Sequence, residues 1–182
     1  MENNEEALEL LNDMHQSYSL LFIALNKIQA EADSRLEDLT LRQLMLLIAI
    51  THLIPQERTI VNIANTLGTS KQNVTRLVNH MVKLGYLSRM TGQIDRRNVN
   101  IEITNEGLLA MRKNTINSNK YFLELFTNLS GIEIKMLRQI LEKLVGYNYT
   151  KKNPFEKQVA IDIGKTSEDM KETLKQIKEI FL

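Results

Sequence analysis

The chain has 182 residues, with no cysteine and no tryptophan, and its formal net charge is +1 at pH 7. Without cysteine it can form no disulfide framework, thiolate metal site or thiol-based redox switch. No apolar run approaches the roughly 20 residues that span a bilayer, and the acidic start, MENNEEALEL, does not resemble a signal peptide. We therefore expect a soluble, cytoplasmic protein without a membrane partner, built as one domain or as a small domain with extended helices.

The first predicted element is a long helix over residues 1–33. Its apolar residues recur at alternating steps of four and three, which is the spacing of a heptad seam. The seam comprises Ala7, Leu11, Met14, Tyr18, Leu21, Leu25, Ile28 and Ala32. A seam of this kind packs either on a helix of the same domain or on a helix of a second chain, and the spacing alone leaves both open.

A second helix is predicted over residues 40–52. Thr40 and Gln43 have the spacing of a capping box at its start, and Pro55 ends it. Its apolar side chains point almost all round the helix axis, so we expect this helix to lie at the centre of the domain.

Residues 59–104 contain two short helices and a hairpin. In the first of these helices Ile60, Ile63, Ala64 and Leu67 share one face. Gly68 follows at the position that favours a positive φ, and Thr69 or Ser70 can cap the next helix. This is the pattern of a helix-turn-helix.

The second helix of this pair is predicted to bury one face and to expose a face rich in hydrogen-bonding groups. The predicted buried set is Val74, Leu77, Val78, Met81 and Leu84. Near the N-terminus, the end that a helix-turn-helix presents to base edges, the amides of Gln72 and Asn73 suit adenine. Arg76 suits guanine or a phosphate, and the hydroxyls of this segment and Lys71 suit phosphate oxygens. An ordinary solvated helix has a similar face, so this helix alone does not decide the function.

A two-stranded hairpin is predicted next, with strands over residues 86–91 and 99–103. The loop between the strands carries Asp95, Arg96 and Arg97 at its tip. Two adjacent arginines repel each other, whereas a phosphate backbone or a narrow minor groove favours them. The hairpin therefore adds to the case for a nucleic-acid partner.

Three further helices are predicted after the hairpin. Thr104 can cap a helix over residues 108–129, and Ser130 with Glu133 forms a capping box for the next helix, which Gly146 stops.

The chain then continues through a linker over residues 147–165. Thr166 and Asp169 are expected to cap a last helix, which carries Met170, Leu174, Ile177, Ile180 and Phe181 on one face. This extension would either lengthen a dimer interface or cover a ligand cleft.

Charge is distributed unevenly along the chain. Residues 1–39 hold two basic and nine acidic side chains, a balance of −7, whereas residues 68–100 hold six basic side chains and one acidic, a balance of +5. The basic charge is thus concentrated on the helix-turn-helix and hairpin, as phosphate binding requires.

Together these features resemble the winged helix-turn-helix of the MarR (multiple antibiotic resistance regulator) family. Three motifs carry the resemblance between residues 31 and 107, and the flanking helices resemble the family by pattern only. The motifs are Leu39-Thr40-x-x-Gln43; Lys83-Leu84-Gly85-Tyr86-Leu87 followed by Arg89; and Asp95-Arg96-Arg97 followed by Ile103-Thr104-x-x-Gly107.

The resemblance implies a mainly α fold with a small β-wing, in which a winged helix-turn-helix joins long N- and C-terminal dimerisation helices. It assigns residues 37–107 to DNA binding and residues 1–36 and 108–182 to a helical dimerisation region, with residues 147–182 as an extra C-terminal extension. The expected function is a homodimeric transcriptional regulator, of repressor type, that binds a pseudo-palindromic operator in double-stranded DNA. The DNA-binding set is then Ser70, Lys71, Gln72, Asn73, Thr75, Arg76, Arg89, Asp95, Arg96 and Arg97.

The resemblance also implies a cleft that holds a small aromatic ligand, whose binding lowers operator affinity. Tyr18, Phe22, Met45, His52 and Met111 are the predicted lining residues. Methionine and aromatic side chains at helical spacing also occur in ordinary cores, so this set has a structural alternative.

Other functions lack a supporting pattern. The three histidines, His15, His52 and His80, have no spacing that places two metal ligands on one face, and no nucleophile elbow, phosphate loop or dinucleotide turn occurs. We therefore expect no metal, no cofactor and no catalytic residue. The alternative from another class is a winged-helix module that binds a partner protein through its terminal helices.

Overall fold

The computed structural model describes residues 2–91, 99–147, 152–156 and 168–181. In chain order the elements are α1 (Glu2–Arg35), α2 (Leu41–His52), a 3₁₀ turn (Pro55–Glu57), α3 (Ile60–Leu67), α4 (Lys71–Lys83), β1 (Leu87–Thr91), β2 (Val99–Ile103), α5 (Asn105–Phe126), α6 (Gly131–Leu144) and α7 (Glu168–Phe181). The fold is therefore mainly helical with one small antiparallel sheet, as the sequence predicted.

Helix α2 forms the centre of the core, as its nearly continuous apolar surface predicted. Leu46, Leu47 and Ile50 are fully buried on it. They pack in one cluster with apolar side chains from α3, α4, both strands and the start of α5. The helix begins at the predicted capping box: the Gln43 backbone N–H donates to Thr40 Oγ1 (3.3 Å), and the Thr40 N–H donates to Gln43 Oε1 (2.7 Å).

The helix-turn-helix has the predicted local signals. Gly68, the residue after α3, lies in the left-handed region with φ 63°, which a residue without Cβ adopts at little cost. Of the two candidate caps for α4, the structure selects Ser70, whose Oγ accepts from the Asn73 backbone N–H at 3.2 Å. Ala64 is buried where α3 approaches its neighbours closely.

The predicted burial of α4 is confirmed except at its end. Val74, Val78 and Met81 are buried and Leu77 is half-buried, but Leu84 is 46% exposed. The prediction for Leu84 was wrong because the helical repeat was extended past the last helical residue, Lys83. Leu84 is the C-cap and lies at the end of the helix, one turn or less beyond Met81, the last buried residue of α4.

The sheet that forms the wing is anchored to the helical core. Strands β1 and β2 pair antiparallel, from Leu87 opposite Ile103 to Thr91 opposite Val99. Ile101 points into the core with no exposed surface, and its N–H donates to the Arg58 backbone oxygen at 2.8 Å. The base of the wing is thereby held against the segment that leads into α3.

The junction after the wing explains why the third motif ends in glycine. Thr104 caps α5 through a bond from the Gly107 N–H (3.1 Å). A Cβ on Gly107 would lie 2.3 Å from the Tyr86 carbonyl oxygen, so no larger residue fits without a backbone shift. Helix α5 begins three residues before the predicted residue 108 and ends three before 129.

A buried amide links the loop between α1 and α2 to α5. Asn114 has no exposed surface, and its Oδ1 accepts from the Glu37 N–H at 2.8 Å. Its Nδ2 lies 2.8 Å from the Glu37 oxygen and 2.8 Å from the Ala110 oxygen, and it donates to both. Lys113 adds ion pairs to the side chains of Glu37 and Asp38 on the surface, and these raise the pKa of Lys113.

Helices α1 and α6 leave much of their apolar surface uncovered. The predicted seam of α1 is buried at Ala32 and half-buried at Ile28, but it is exposed from Leu25 back to the N-terminal end. Helix α6 begins at the predicted Ser130 and Glu133 capping box and contains no buried residue. Its exposed apolar residues are Ile132, Met136, Ile140, Leu141 and Leu144.

The last helix, α7, was predicted from its apolar repeat, and it contacts α5. Its expected cap residue Thr166 lies outside the described residues. None of the helices in the described ranges combines the length and hydropathy needed to cross a membrane.

Candidate nucleic-acid interface

The candidate interface is the exposed face at the N-terminal half of α4. The cap Ser70 and the side chains of Lys71, Gln72, Asn73, Thr75 and Arg76 are all exposed. Helix α4 carries no carboxylate, and its free backbone N–H groups add a partial positive charge at this end. The surface therefore combines hydrogen-bonding groups with a field that attracts anions.

Two hydrogen bonds connect Asn73 and Arg76 of this face with each other and with the exposed Thr69. Asn73 Nδ2 donates to Thr69 Oγ1 at 3.3 Å, and Arg76 Nη2 donates to Asn73 Oδ1 at 2.8 Å. The Thr75 hydroxyl instead donates back to the Lys71 carbonyl oxygen at 2.8 Å. Thr69, Asn73 and Arg76 thus form a row along one side of the helix.

Arg89 brings a second element to this face. It is exposed on β1, and its guanidinium donates to Asn79 Oδ1 on α4. Asn79 was not assigned to the site from the sequence, because its partner lies ten residues away on another element. The only local signal was its place on the polar side of α4.

The predicted tip of the wing, Asp95, Arg96 and Arg97, lies outside the described residues. Their role in DNA binding stays a prediction from the sequence, as does the direct contact of each α4 residue with DNA. Within the described ranges, no group of three or more His, Cys, Asp or Glu side chains is arranged to hold a metal ion.

A cavity of about 230 Å³ lies between α1, α2 and α5. Three of the five predicted ligand residues, Met45, His52 and Met111, line it, whereas Tyr18 and Phe22 do not. Both of these side chains are exposed on α1. Their place in an effector site stays a prediction from the sequence.

The lining of the cavity is mostly apolar, with polar groups from α1 and α5. These are Arg35, Thr115, Asn117, Ser118 and Asn119, together with Tyr121. Hydrogen bonds to Glu31 and Glu124 raise the pKa of Arg35, and burial raises the pKa of Tyr121, so both remain protonated at neutral pH. The Tyr121 hydroxyl donates to the Ile28 carbonyl oxygen at 3.1 Å.

The C-terminal extension contacts His52, a residue that lines this cavity. The Phe155 ring packs edge-on against His52, with ring centroids 5.1 Å apart. Asn153 donates to Glu142 on α6 at 3.1 Å, which lowers the pKa of that carboxyl group. The segment 152–156 therefore connects α6 to a cavity-lining residue of α2, although the sequence did not single out these two contacts.

Comparison with known proteins agrees with the winged helix-turn-helix geometry. The sequence profile of the MarR family matches residues 37–97, from the loop before α2 to the wing. Over these residues the chain is similar to the MarR family, as the sequence motifs indicated.

Three relatives illustrate the extent of the similarity. The HTH-type transcriptional regulator PapX of Escherichia coli is 33% identical over 85 residues, which are 47% of this chain and 52% of PapX. The structure of a mutant MarR from E. coli with operator DNA gives a TM-score of 0.65 at 22% identity, covering 74% of this chain and 96% of that one. The S. aureus MepR–DNA complex gives 0.64 at 24% identity, covering 70% and 96%.

The sequence matches and the structural matches cover different shares of the chain. The chain spans about half the length of the curated relatives that it matches, so their similarity concerns the winged helix and not the whole protein. The structural matches show that the MarR fold extends beyond the winged helix, over about 70–74% of the chain.

Proposed function

We propose that the chain is a homodimeric, sequence-specific DNA-binding transcriptional regulator of MarR type that acts as a repressor. The observation that carries this proposal is the exposed N-terminal face of α4, which presents Lys71, Gln72, Asn73 and Arg76 without a carboxylate on the helix. The structures of MarR relatives bound to DNA support the same proposal. In this proposal residues 37–107 bind DNA and the remaining helices dimerise.

Helix α4 would lie in the major groove with its N-terminal residues toward the base edges. The bond from Arg89 to Asn79 would hold the wing and α4 in a fixed relation, so that both follow one stretch of the backbone. Arg96 and Arg97 would then contact the adjacent minor groove, where negative potential is greatest when the groove is narrow.

The wing assignment is tested by the salt dependence of binding to duplex DNA. Each phosphate contact contributes about 0.9 to the slope of log K against log salt concentration. The double variant Arg96→Ala with Arg97→Ala should therefore bind all duplexes more weakly and flatten the slope by about one or two. A slope equal to that of the wild type would contradict the wing assignment.

Dimerisation is supported by the uncovered apolar faces of α1 and α6. Met14, Leu21 and Leu25 of the α1 seam are each more than 40% exposed in the single chain. A second chain would remove this surface from water, with a gain of about 25 cal/mol for each Å² covered. A dimer also matches the two-fold symmetry that an inverted-repeat operator requires.

The dimer is tested by sedimentation velocity on two matched variants of α1. Met14→Glu places a charge in the seam and should shift the protein toward the monomer. Gln16→Glu adds the same charge on the opposite side of the helix and should leave the dimer intact. Equal sedimentation of the two variants would contradict an interface at the seam.

We further propose that a small aromatic ligand in the cavity lined by Met45, His52 and Met111 weakens operator binding. The cavity exceeds the about 150 Å³ that holds one benzene ring in an engineered protein. A ligand acts only through different affinities for the DNA-bound and free arrangements of the dimer. Ligands that lower operator affinity should therefore bind more weakly to the DNA-bound protein.

The protein-interaction alternative would use the same exposed helices but not the α4 face. It predicts that a charged residue introduced on α1 abolishes binding of the partner protein, whereas substitutions on α4 leave that binding unchanged. The basic, carboxylate-free face of α4 favours the DNA-binding function over this alternative.

A further inference from the structure

Asn73 and Gln72 are adjacent amides at the N-terminal end of α4, but their surroundings differ. Both ends of the Asn73 amide are engaged: Nδ2 donates to Thr69 Oγ1, and Oδ1 accepts from Arg76 Nη2. The exposed Gln72 side chain makes no hydrogen bond within the part of the chain that the structure describes. The two amides are therefore not equivalent candidates for reading a base.

A bidentate contact to adenine requires an amide to offer its oxygen and its NH₂ group together. The bonds to Thr69 and Arg76 use one N–H donor and one oxygen lone pair of Asn73, so its amide can make that contact only in orientations that these bonds allow. Gln72 can make it without breaking any bond seen among the described residues. The structure thus favours Gln72 over Asn73 as an adenine reader.

Arg76 keeps most of its hydrogen-bond donors while it is bonded to Asn73. A guanidinium has five N–H donors in a planar fork, and the bond to Asn73 uses one of them. The remaining donors can still pair with O6 and N7 of guanine, which is the commonest specific contact in the major groove. A long arginine side chain that is already oriented also loses less conformational entropy on binding.

We propose that Arg76 reads a guanine in each operator half-site and that Asn73 is a positioning residue. Asn73 is fixed by its hydrogen bond to Thr69 and in turn orients the Arg76 guanidinium. This proposal rests on the proposed function, because it assumes that α4 enters the major groove. It changes the expectation for Asn73, which sequence reasoning treated as a direct reader of adenine.

The test measures base preference at every position of a selected operator half-site. Binding constants of the wild type, Arg76→Ala, Asn73→Ala, the double variant and Gln72→Ala are determined by fluorescence anisotropy for duplexes with single base-pair changes. We expect Arg76→Ala to reduce preference at one G·C pair by about 5- to 150-fold. Asn73→Ala should reduce preference at the same pair, and the double variant should lose little more than Arg76→Ala alone.

Asn73→Asp separates positioning from direct reading. The aspartate keeps an oxygen that accepts from Arg76 but has no NH₂ group with which to pair with adenine. We expect it to retain the preference at the G·C pair, even if its charge lowers affinity for all duplexes equally. Gln72→Ala should change preference at a different pair and show that an α4 substitution leaves the protein folded.

Three results would overturn the proposal. Loss of preference at an A·T pair in Asn73→Ala, additive with the effect of Arg76→Ala, would make Asn73 a direct reader. A uniform affinity loss in Arg76→Ala without a changed preference would make Arg76 a phosphate contact. If the wild type selects no sequence at all, the proposed regulator fails and this assignment fails with it.

Discussion

Replacing Asn114 tests whether one buried amide holds the α1–α2 loop against α5. Asn114→Ala removes three hydrogen bonds of 2.8 Å, two to the backbone of Glu37 and one to the Ala110 oxygen. Each such bond contributes a net of about 0.5–1.5 kcal/mol, so three contribute roughly 1.5–4.5 kcal/mol. We expect the free energy of unfolding to fall by about 3 kcal/mol, since the site is fully buried and the alanine leaves a small void.

The assay is urea unfolding followed by circular dichroism. Protein concentration is kept fixed, because the stability of a dimer depends on it. The matched control is Asn117→Ala, one turn further along α5, whose amide lies 3.5 Å from the exposed Glu37 carboxylate. This control should lose less than about 0.5 kcal/mol. If Asn114→Ala loses no more than the control, the amide does not anchor the loop.

Three further substitutions test particular contacts. Gly107→Ala would bring a methyl group within 2.3 Å of a backbone carbonyl oxygen, so we expect urea unfolding to show a loss of about 1–3 kcal/mol. Hydrogen bonds from the backbone and hydroxyl of Ser130 hold the pKa of Glu133 below its ordinary value. The ionised Glu133 therefore stabilises the fold above the ordinary carboxyl pKa, and this stabilisation is lost as pH falls through the lowered pKa. Glu133→Gln should accordingly flatten the acid limb of the curve of stability against pH. Phe155→Leu keeps apolar area but removes the edge-on contact with His52, and its thermal unfolding should show a loss of about 0.5–1.5 kcal/mol, whereas an unchanged midpoint would mean that the extension is not held there.

The sequence predicted those parts of the fold that depend on neighbouring residues. The capping boxes at Thr40 and Ser130 and the left-handed turn at Gly68 are set by side chains within three or four positions of one another. The repeat of apolar residues on α2 and α4 likewise carries its own information about burial. These elements are confirmed, apart from Leu84, where the repeat continued past the end of the helix.

The sequence could not predict contacts between distant segments. Asn114 bonds to a residue 77 positions away, and the Phe155 ring reaches His52 on another element. The hydrogen bond from Arg89 to Asn79 depends on how the wing folds back on α4. Tyr18 and Phe22 share α1 with the cavity residues Ala32 and Arg35. The spacing of apolar residues along α1 does not show how far its contacts with the other helices extend.

The most direct test of the account is selection of bound sequences from a pool of random duplexes, at low and at physiological salt concentration. We predict enrichment of an inverted repeat whose half-sites lie about one helical turn apart, and that enrichment should persist at the higher salt concentration. Binding that enriches no sequence and disappears at physiological salt would show that the α4 face attracts DNA only nonspecifically. That result would contradict a sequence-specific regulator.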